Sequence, residues 1–197
     1  MMDTKDYRQV VSDMSITSSK SFNDFVYGWL VLHSEEENEE RFLMKRSFVL
    51  SKMEEEFQMT RKTLAKYFDF LVKVGLVVDG KDRWILTDLG TEGFWLETDI
   101  LARLVETRKK GLISAYVYLK RGKWLLARKG KEKVPIILGP LKSYIGVASN
   151  TKGNNKSVVD LLEELRVLGL LQYELVHGRE GNRQFYVISG VGQDYYF

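Results

Sequence analysis

Two stretches of this 197-residue chain set cations and hydrogen-bonding side chains at the opening of an apolar-periodic segment. In the first, Thr60 stands where a helix N-cap belongs, and Arg61, Lys62, Thr63 and Lys66 project from the opening turns. Arginine and lysine pair with guanine edges or with phosphate, and threonine with base edges or backbone, so such a helix suits a nucleic-acid duplex. In the second, Asn154, Asn155, Lys156, Ser157 and Asp160 give an amide-rich surface with few charges, fit to read adenine edges or phosphate oxygens. A candidate hairpin with its own cations follows each: Lys81 and Arg83 after the first, Arg179 and Arg183 after the second. Each copy therefore pairs a reading helix with a phosphate clamp. Asp69 on the first helix, and Glu54, Glu55 and Glu56 just before it, would repel a duplex and are expected to face away from it.

Other chemistries find little support. The chain has no cysteine, which excludes disulfides, thiolate metal sites and cysteine nucleophiles, and its two histidines, His33 and His177, lie far apart. His33 is expected at a helix end and His177 in a hairpin. The acidic run at Glu35, Glu36, Glu37, Glu39 and Glu40 lacks the glycine and the spaced carboxylates that shape a calcium loop, so a solvated acidic loop is expected. No glycine-rich phosphate cradle occurs, and no serine or lysine nucleophile has a visible partner. The expectation is a non-enzyme with no metal and no cofactor.

The elements that would position the two reading helices repeat. Thr63, Leu64, Phe68, Leu71, Gly75, Leu76 and Val77 recur 94 residues later as Ser157, Val158, Leu162, Leu165, Gly169, Leu170 and Leu171. The three-and-four spacing before each glycine predicts a helix with one buried stripe, and the glycine predicts its left-handed end. Extended segments follow: Leu76 to Val78 and Trp84 to Thr87 in the first copy, Leu170 to Val176 and Gln184 to Ile188 in the second. Upstream, the first copy offers a helix at Phe22 to Leu32, a polar loop, a strand at Phe42 to Met44, and a helix at Ser47 to Phe57 with Phe48, Val49 and Met53 on its apolar side. The second offers a helix at Ile113 to Leu126, a basic loop, a strand at Val134 to Leu138, and a helix near Pro140 to Ala148. The order is helix, strand, helix, helix, hairpin, twice over. Domains at 1–97 and 111–197 follow, with a connecting helix at 98–110 whose Ile100, Leu101, Leu104 and Val105 form an apolar face.

Charge is unevenly shared. The net charge is +3, but residues 1–110 carry −3 and residues 111–197 carry +6. Ten basic residues against one acid lie between Arg108 and Lys133, a field that attracts polyanions. Within it Lys120, Arg121, Lys123, Arg128, Lys129 and Lys131 are candidate additional DNA contacts. Tyr116, Tyr118, Leu119 and Trp124 interleave with these cations; a helix core is the preferred reading over stacking on single strands. The longest apolar stretch, near Phe25 to Leu32, is far short of the roughly 18–20 residues a membrane helix needs, so no membrane association is expected. The opening residues carry charges where a secretion signal needs its apolar run, and a cytoplasmic, nucleoid-associated protein is expected.

Met59 to Leu64 leading to Lys73 to Val77, and Asn154 to Val159 leading to Val167 to Leu171, resemble the helix-turn-helix of winged-helix proteins. The resemblance implies a helix-rich α+β fold of two tandem winged-helix domains, in which the third helix of each enters the major groove and the hairpin wing lies over phosphates. The order of elements, with Ile113 to Gly122 opening the second unit, is similar to replication initiators and replisome organisers of plasmids and phages. The function this implies is sequence-specific binding of double-stranded DNA at origin repeats, with the replication machinery as a further partner. A transcriptional regulator, with the transcription machinery as partner, is the first alternative, and a winged-helix protein-interaction adaptor the second. Tyr195, Tyr196 and Phe197 can pack across a second copy as readily as on their own core, which leaves a homodimer open.

Overall fold

A computed structural model describes residues 7–11, 20–38, 40–44, 46–87, 93–131, 134–147, 153–177 and 184–191. The protein is a mixed, helix-rich α+β fold, with seven helices and nine strands among the described residues. The chain divides into two compact units, Met1–Asp13 with Phe22–Lys110, and Met14–Ser21 with Gly111–Phe197.

In the first unit, helix α1 (Lys20–Leu32) is apolar on nearly every side, and its residues Phe22 to Val31 are buried. Strands β2 (Glu35–Glu37) and β3 (Glu40–Met44) come next, then helices α2 (Arg46–Phe57) and α3 (Arg61–Lys73), then strands β4 (Val77–Asp79) and β5 (Arg83–Leu86). The four strands form one antiparallel sheet in the order β2-β3-β5-β4, with Leu43 opposite Trp84 and Asp79 opposite Trp84 from the other side. Trp84 and Phe68 meet at 4.2 Å between ring centroids, which fastens α3 to the sheet. The Trp84 Nε1–H donates to Asp79 Oδ1 at 2.7 Å and the Trp29 Nε1–H to Glu56 Oε2 at 2.6 Å, so both buried indoles keep a hydrogen-bond partner.

Three features of this unit depart from the sequence reading. The acidic run is no open loop: Glu35 to Glu37 pair with Glu40 to Phe42 as a hairpin turning at Asn38, whose φ of 52° asparagine tolerates. Glutamates on such an edge strand discourage pairing with another chain. On α2, Val49, Leu50 and Met53 point inward, whereas Phe48 is 65% exposed. Its position is nearly opposite the buried stripe, one residue too early for the four-residue spacing of Val49 and Met53. Finally, strand β1 (Tyr7–Val11), absent from the sequence reading, pairs antiparallel with β6 (Gly93–Glu97), Tyr7 opposite Glu97 and Val11 opposite Gly93.

Helix α4 (Thr98–Glu106) follows β6, with Ile100, Leu101, Leu104 and Val105 buried as the periodicity predicts. It stops short of residue 110. The Arg108 amide turns back to the Val105 carbonyl at 2.9 Å, with Arg108 in the left-handed region at φ 56°, and Thr107 Oγ1 donates to the Leu104 carbonyl. Arg108, Lys109 and Lys110 therefore lie in an exposed turn and do not continue the helix.

The second unit holds helix α5 (Leu112–Ala127), strand β7 (Val134–Ile136), helices α6 (Leu138–Tyr144) and α7 (Gly153–Val167), and strands β8 (Leu171–His177) and β9 (Gln184–Val191). Its sheet runs β7-β9-β8, antiparallel throughout, with Val134 opposite Ile188 and a bulge between Gln172 and Tyr173. Pro140 sits in the first turn of α6, where its missing amide hydrogen leaves nothing unpaired. Each unit thus contains the order helix, strand, helix, helix, hairpin, the first with β2 inserted and with β1, β6 and α4 added.

Candidate nucleic-acid interface

The 94-residue echo is a packing echo. Leu64, Phe68, Leu71, Leu76 and Val77 are buried in one unit, and Val158, Leu162, Leu165, Leu170 and Leu171 are buried in the other. These stripes fix which way α3 and α7 face, and so what each shows to solvent.

On α3, Thr60 caps the helix: its Oγ1 accepts from the Thr63 amide at 3.4 Å and lies 3.0 Å from Thr63 Oγ1. Arg61, Lys62 and Lys66 are exposed, and Thr63 is half-buried. Positions 62, 66, 69 and 73 follow one another at four, three and four residues, which is a single helical stripe, so Lys62, Lys66 and Lys73 share the outer face. Asp69 belongs to that same stripe and is exposed; the expected turning-away of this carboxylate does not occur. Among the upstream acids, Glu56 is taken up by Trp29, and Glu55 is exposed on α2. The outer stripe of α3 is still cationic, three lysines to one acid, and Arg61 adds a fourth exposed basic group at the helix start.

The hairpin after α3 is short. Its tip is Gly80, Lys81 and Asp82, closed by the Gly80 amide bonding to the Arg83 carbonyl at 3.1 Å. Lys81 is exposed at the tip. Arg83 is held inside the sheet, 3.2 Å from Glu37, 3.7 Å from Glu40 and 4.8 Å above the Phe42 ring. The acidic hairpin thus neutralises the one wing arginine of this unit.

The corresponding face of α7 has the opposite character. Asn154 and Asn155 lie in its first turn, and Lys156 and Ser157 are exposed one step further on. Down the same face come Asp160, Glu163, Glu164 and Val167, the last 72% exposed. Arg166 and Glu163 offset one another, with Nε 2.9 Å from Oε2 and a second contact from the terminal nitrogen to Oε1, which leaves Asp160 and Glu164 as the acids beside Lys156 on this face. Tyr173 on β8 donates its hydroxyl to the same carboxylate at 2.9 Å. The Arg166 and Tyr173 hydrogen bonds hold the Glu163 pKa below the usual glutamate value, and Glu163 in turn raises that of Arg166. This three-residue cluster was not read from the sequence, although the spacing of Glu163 and Arg166 on one helix was visible there. Arg179 and Arg183 lie outside the described residues.

The basic run divides at the end of α5. Residues Leu112 to Val117 and Leu119 are buried, while Lys120, Arg121 and Lys123 are half-buried, with Lys120 5.7 Å from the Tyr116 ring. Trp124, which the helix-core reading covered, is instead exposed, as is Leu125 beside it. Arg128 lies 4.9 Å over the Trp124 ring, and Arg128, Lys129 and Lys131 are exposed around a turn at Gly130, φ 71°.

The remaining sequence candidates are structural. His33 ends α1, with Nδ1 2.9 Å from the Trp29 carbonyl and its ring stacked on Trp29 at 4.0 Å. Among the described residues no group of three or more histidine, aspartate or glutamate side chains is placed to hold a metal ion, and no helix is long and apolar enough to cross a membrane. No protein-family model, curated protein or solved structure matches the chain.

Proposed function

We propose that this chain is a sequence-specific, non-enzymatic binder of double-stranded DNA built on two winged-helix units, and that it acts as a plasmid- or phage-type replication initiator. The observation that carries the reading is the outer face of α3, where Lys62, Lys66 and Lys73 stand exposed, with Arg61 exposed beside the Thr60 cap at the helix start, while Leu64, Phe68 and Leu71 anchor the opposite side. A rigid helix with one buried stripe and a cationic outer stripe is what major-groove entry requires. Electrostatic contact with phosphate supplies most of the affinity, and Thr63 and Arg61 near the helix start supply base discrimination. Replication and transcription machinery remain the downstream partners of the initiator and regulator readings.

A second reading applies to the second unit alone. The acidic, partly apolar face formed by Asp160, Glu163, Glu164 and Val167 favours a protein partner over a polyanion, so the adaptor role belongs to this unit even where the first binds DNA.

The test is selection of bound fragments from a random duplex pool, followed by salt titration of the selected site. Replacing Arg61 and Lys62 together by alanine is expected to weaken binding and lower the log–log salt slope by about two, roughly one for each lost phosphate contact. An unchanged slope removes α3 from the contact set. Absence of any selected sequence leaves the adaptor reading in its place.

A further inference from the structure

At the end of α5 an exposed aromatic residue lies within a stretch of one charge sign. From Thr107 to Lys131 the sequence has no acidic residue. Positions 120, 121, 124 and 128 fall on one side of the helix, so Trp124 is flanked by Lys120 and Arg121 on one turn and by Arg128 on the next. The indole is 39% exposed and already carries the Arg128 guanidinium at 4.9 Å on its ring. Lys129 and Lys131 extend the positive surface past the helix end.

We propose that this helix end is a binding platform for single-stranded DNA, with an unpaired base stacked on Trp124 beside Arg128 and the backbone phosphates held by Lys120, Arg121, Lys129 and Lys131. Every base has a π-face, so an aromatic ring ringed by cations accepts single strands with little regard to sequence. A duplex offers the ring no such face, because its bases are stacked on one another and only their edges line the grooves. A membrane surface would call for a broad apolar face, and here only Trp124 and Leu125 are apolar among the exposed side chains. The platform goes beyond the duplex-binding proposal and does not depend on it: that proposal rests on α3 of the first unit, whereas the platform gives the basic residues at the end of α5 a single-stranded partner. Together the two would let one chain hold a duplex site and a melted strand.

The test uses the full chain and a fluorescein-labelled (dT)15 oligonucleotide in low salt, beside a random-sequence duplex and vesicles of phosphatidylglycerol. Trp124→Ala is expected to weaken (dT)15 binding by about 5- to 50-fold, in line with the stacking contribution of one base. Trp124→Phe keeps a stacking ring and is expected to stay within about threefold of the parent protein. Duplex affinity stays unchanged in both variants, because α3 lies outside the platform, and both variants are to be folded under the assay conditions, checked by their thermal midpoints. The proposal is overturned if (dT)15 does not bind, if Trp124→Ala binds it as the parent does, if Trp124→Phe loses as much as the alanine variant, or if Trp124→Ala abolishes vesicle binding while leaving (dT)15 binding intact.

Discussion

Gly75 and Gly169 close the same cap 94 residues apart. Both are in the left-handed region, at φ 77° and 68°, and in both units the next residue bonds back to the fifth residue before it: the Leu76 amide to the Leu71 carbonyl at 2.9 Å, the Leu170 amide to the Leu165 carbonyl at 2.8 Å. This arrangement satisfies carbonyls that a helix end leaves unpaired, and it turns the chain directly into the hairpin that follows. The shared cap ties the direction of each candidate reading helix to its own sheet.

Substituting alanine at Gly75 is expected to cost about 1–2 kcal/mol, entirely through the backbone, because a Cβ there meets nothing within 4 Å. Gly111→Ala is expected to cost more, since its φ of 89° is combined with a tight approach of the new Cβ to Ser21 Oγ at 3.3 Å. Gly139→Ala, on α6 with open space around it and no positive φ, is expected to be neutral or to stabilise by up to about 1 kcal/mol. Urea unfolding midpoints of the three variants check the order.

Glu163 sets a pH dependence whose direction follows from its partners. Its pKa is lowered in the folded protein, chiefly by the Arg166 hydrogen bond and then by that of Tyr173. Its stabilisation is therefore complete above the ordinary glutamate range and is lost as acid carries the solution down through the lowered value. Tyr173 behaves in the opposite sense: burial and the Glu163 bond raise its pKa, so its share is present below the ordinary tyrosine value and fades only above it. Glu163→Gln is expected to flatten the acid limb of the stability profile relative to the parent. Unfolding followed from neutral pH into acid measures it, and parallel acid limbs for the two proteins would show that the cluster has no thermodynamic weight.

The buried half of each candidate reading helix was legible because helical spacing leaves a mark that needs no partner: Leu64, Phe68 and Leu71 announce a stripe, and Thr60 and Gly75 announce its ends. What depends on distant pairing left no such mark. Tyr7 to Val11 becomes a strand only by meeting Gly93 to Glu97, and a five-residue segment containing arginine and glutamine carries a weak alternation of its own. Glu35 to Glu37 have poor strand propensity and extend only because Arg41 and Arg83 neutralise the edge they form. The surfacing of Trp124 was illegible for another reason. Periodicity says which side of a helix is apolar and is silent on where the helix outruns its packing. The acids of α7 are visible in the sequence, since Asp160 and Glu163 stand three residues apart, whereas the ion pair of Glu163 with Arg166 and the Tyr173 hydroxyl on it depend on side-chain choices and on a strand that helical spacing does not specify.

Asp69 is placed to oppose duplex binding. It shares the exposed stripe of Lys62, Lys66 and Lys73, so its carboxylate lowers the local potential that phosphate would meet. Asp69→Asn is expected to tighten duplex binding by about two- to fivefold at low salt, the scale of one screened surface charge, and the gain should shrink as ionic strength rises. Binding isotherms at two salt concentrations check this. No gain at either would mean that phosphates approach only the Arg61 end of the helix.

The two helices are not interchangeable, and their difference gives the sharpest expectation. If charge on the outer face decides which helix meets DNA, α3 does so and α7 does not: Lys156 is followed on its face by Asp160, Glu163 and Glu164, and the one nearby arginine is engaged by Glu163. Lys156→Ala is then expected to leave duplex affinity within about twofold and the salt slope unchanged, whereas the Arg61 and Lys62 double substitution lowers the slope by about two. Reversing the α7 face with Asp160→Lys and Glu164→Lys is expected to add duplex affinity through α7 that the parent helix lacks, with a slope steeper by up to about two. Equal losses from Lys156→Ala and from a single Lys62→Ala would instead mean that both helices sit in the groove, and that the local field of the α7 carboxylates is overcome by contacts its first-turn asparagines make with bases.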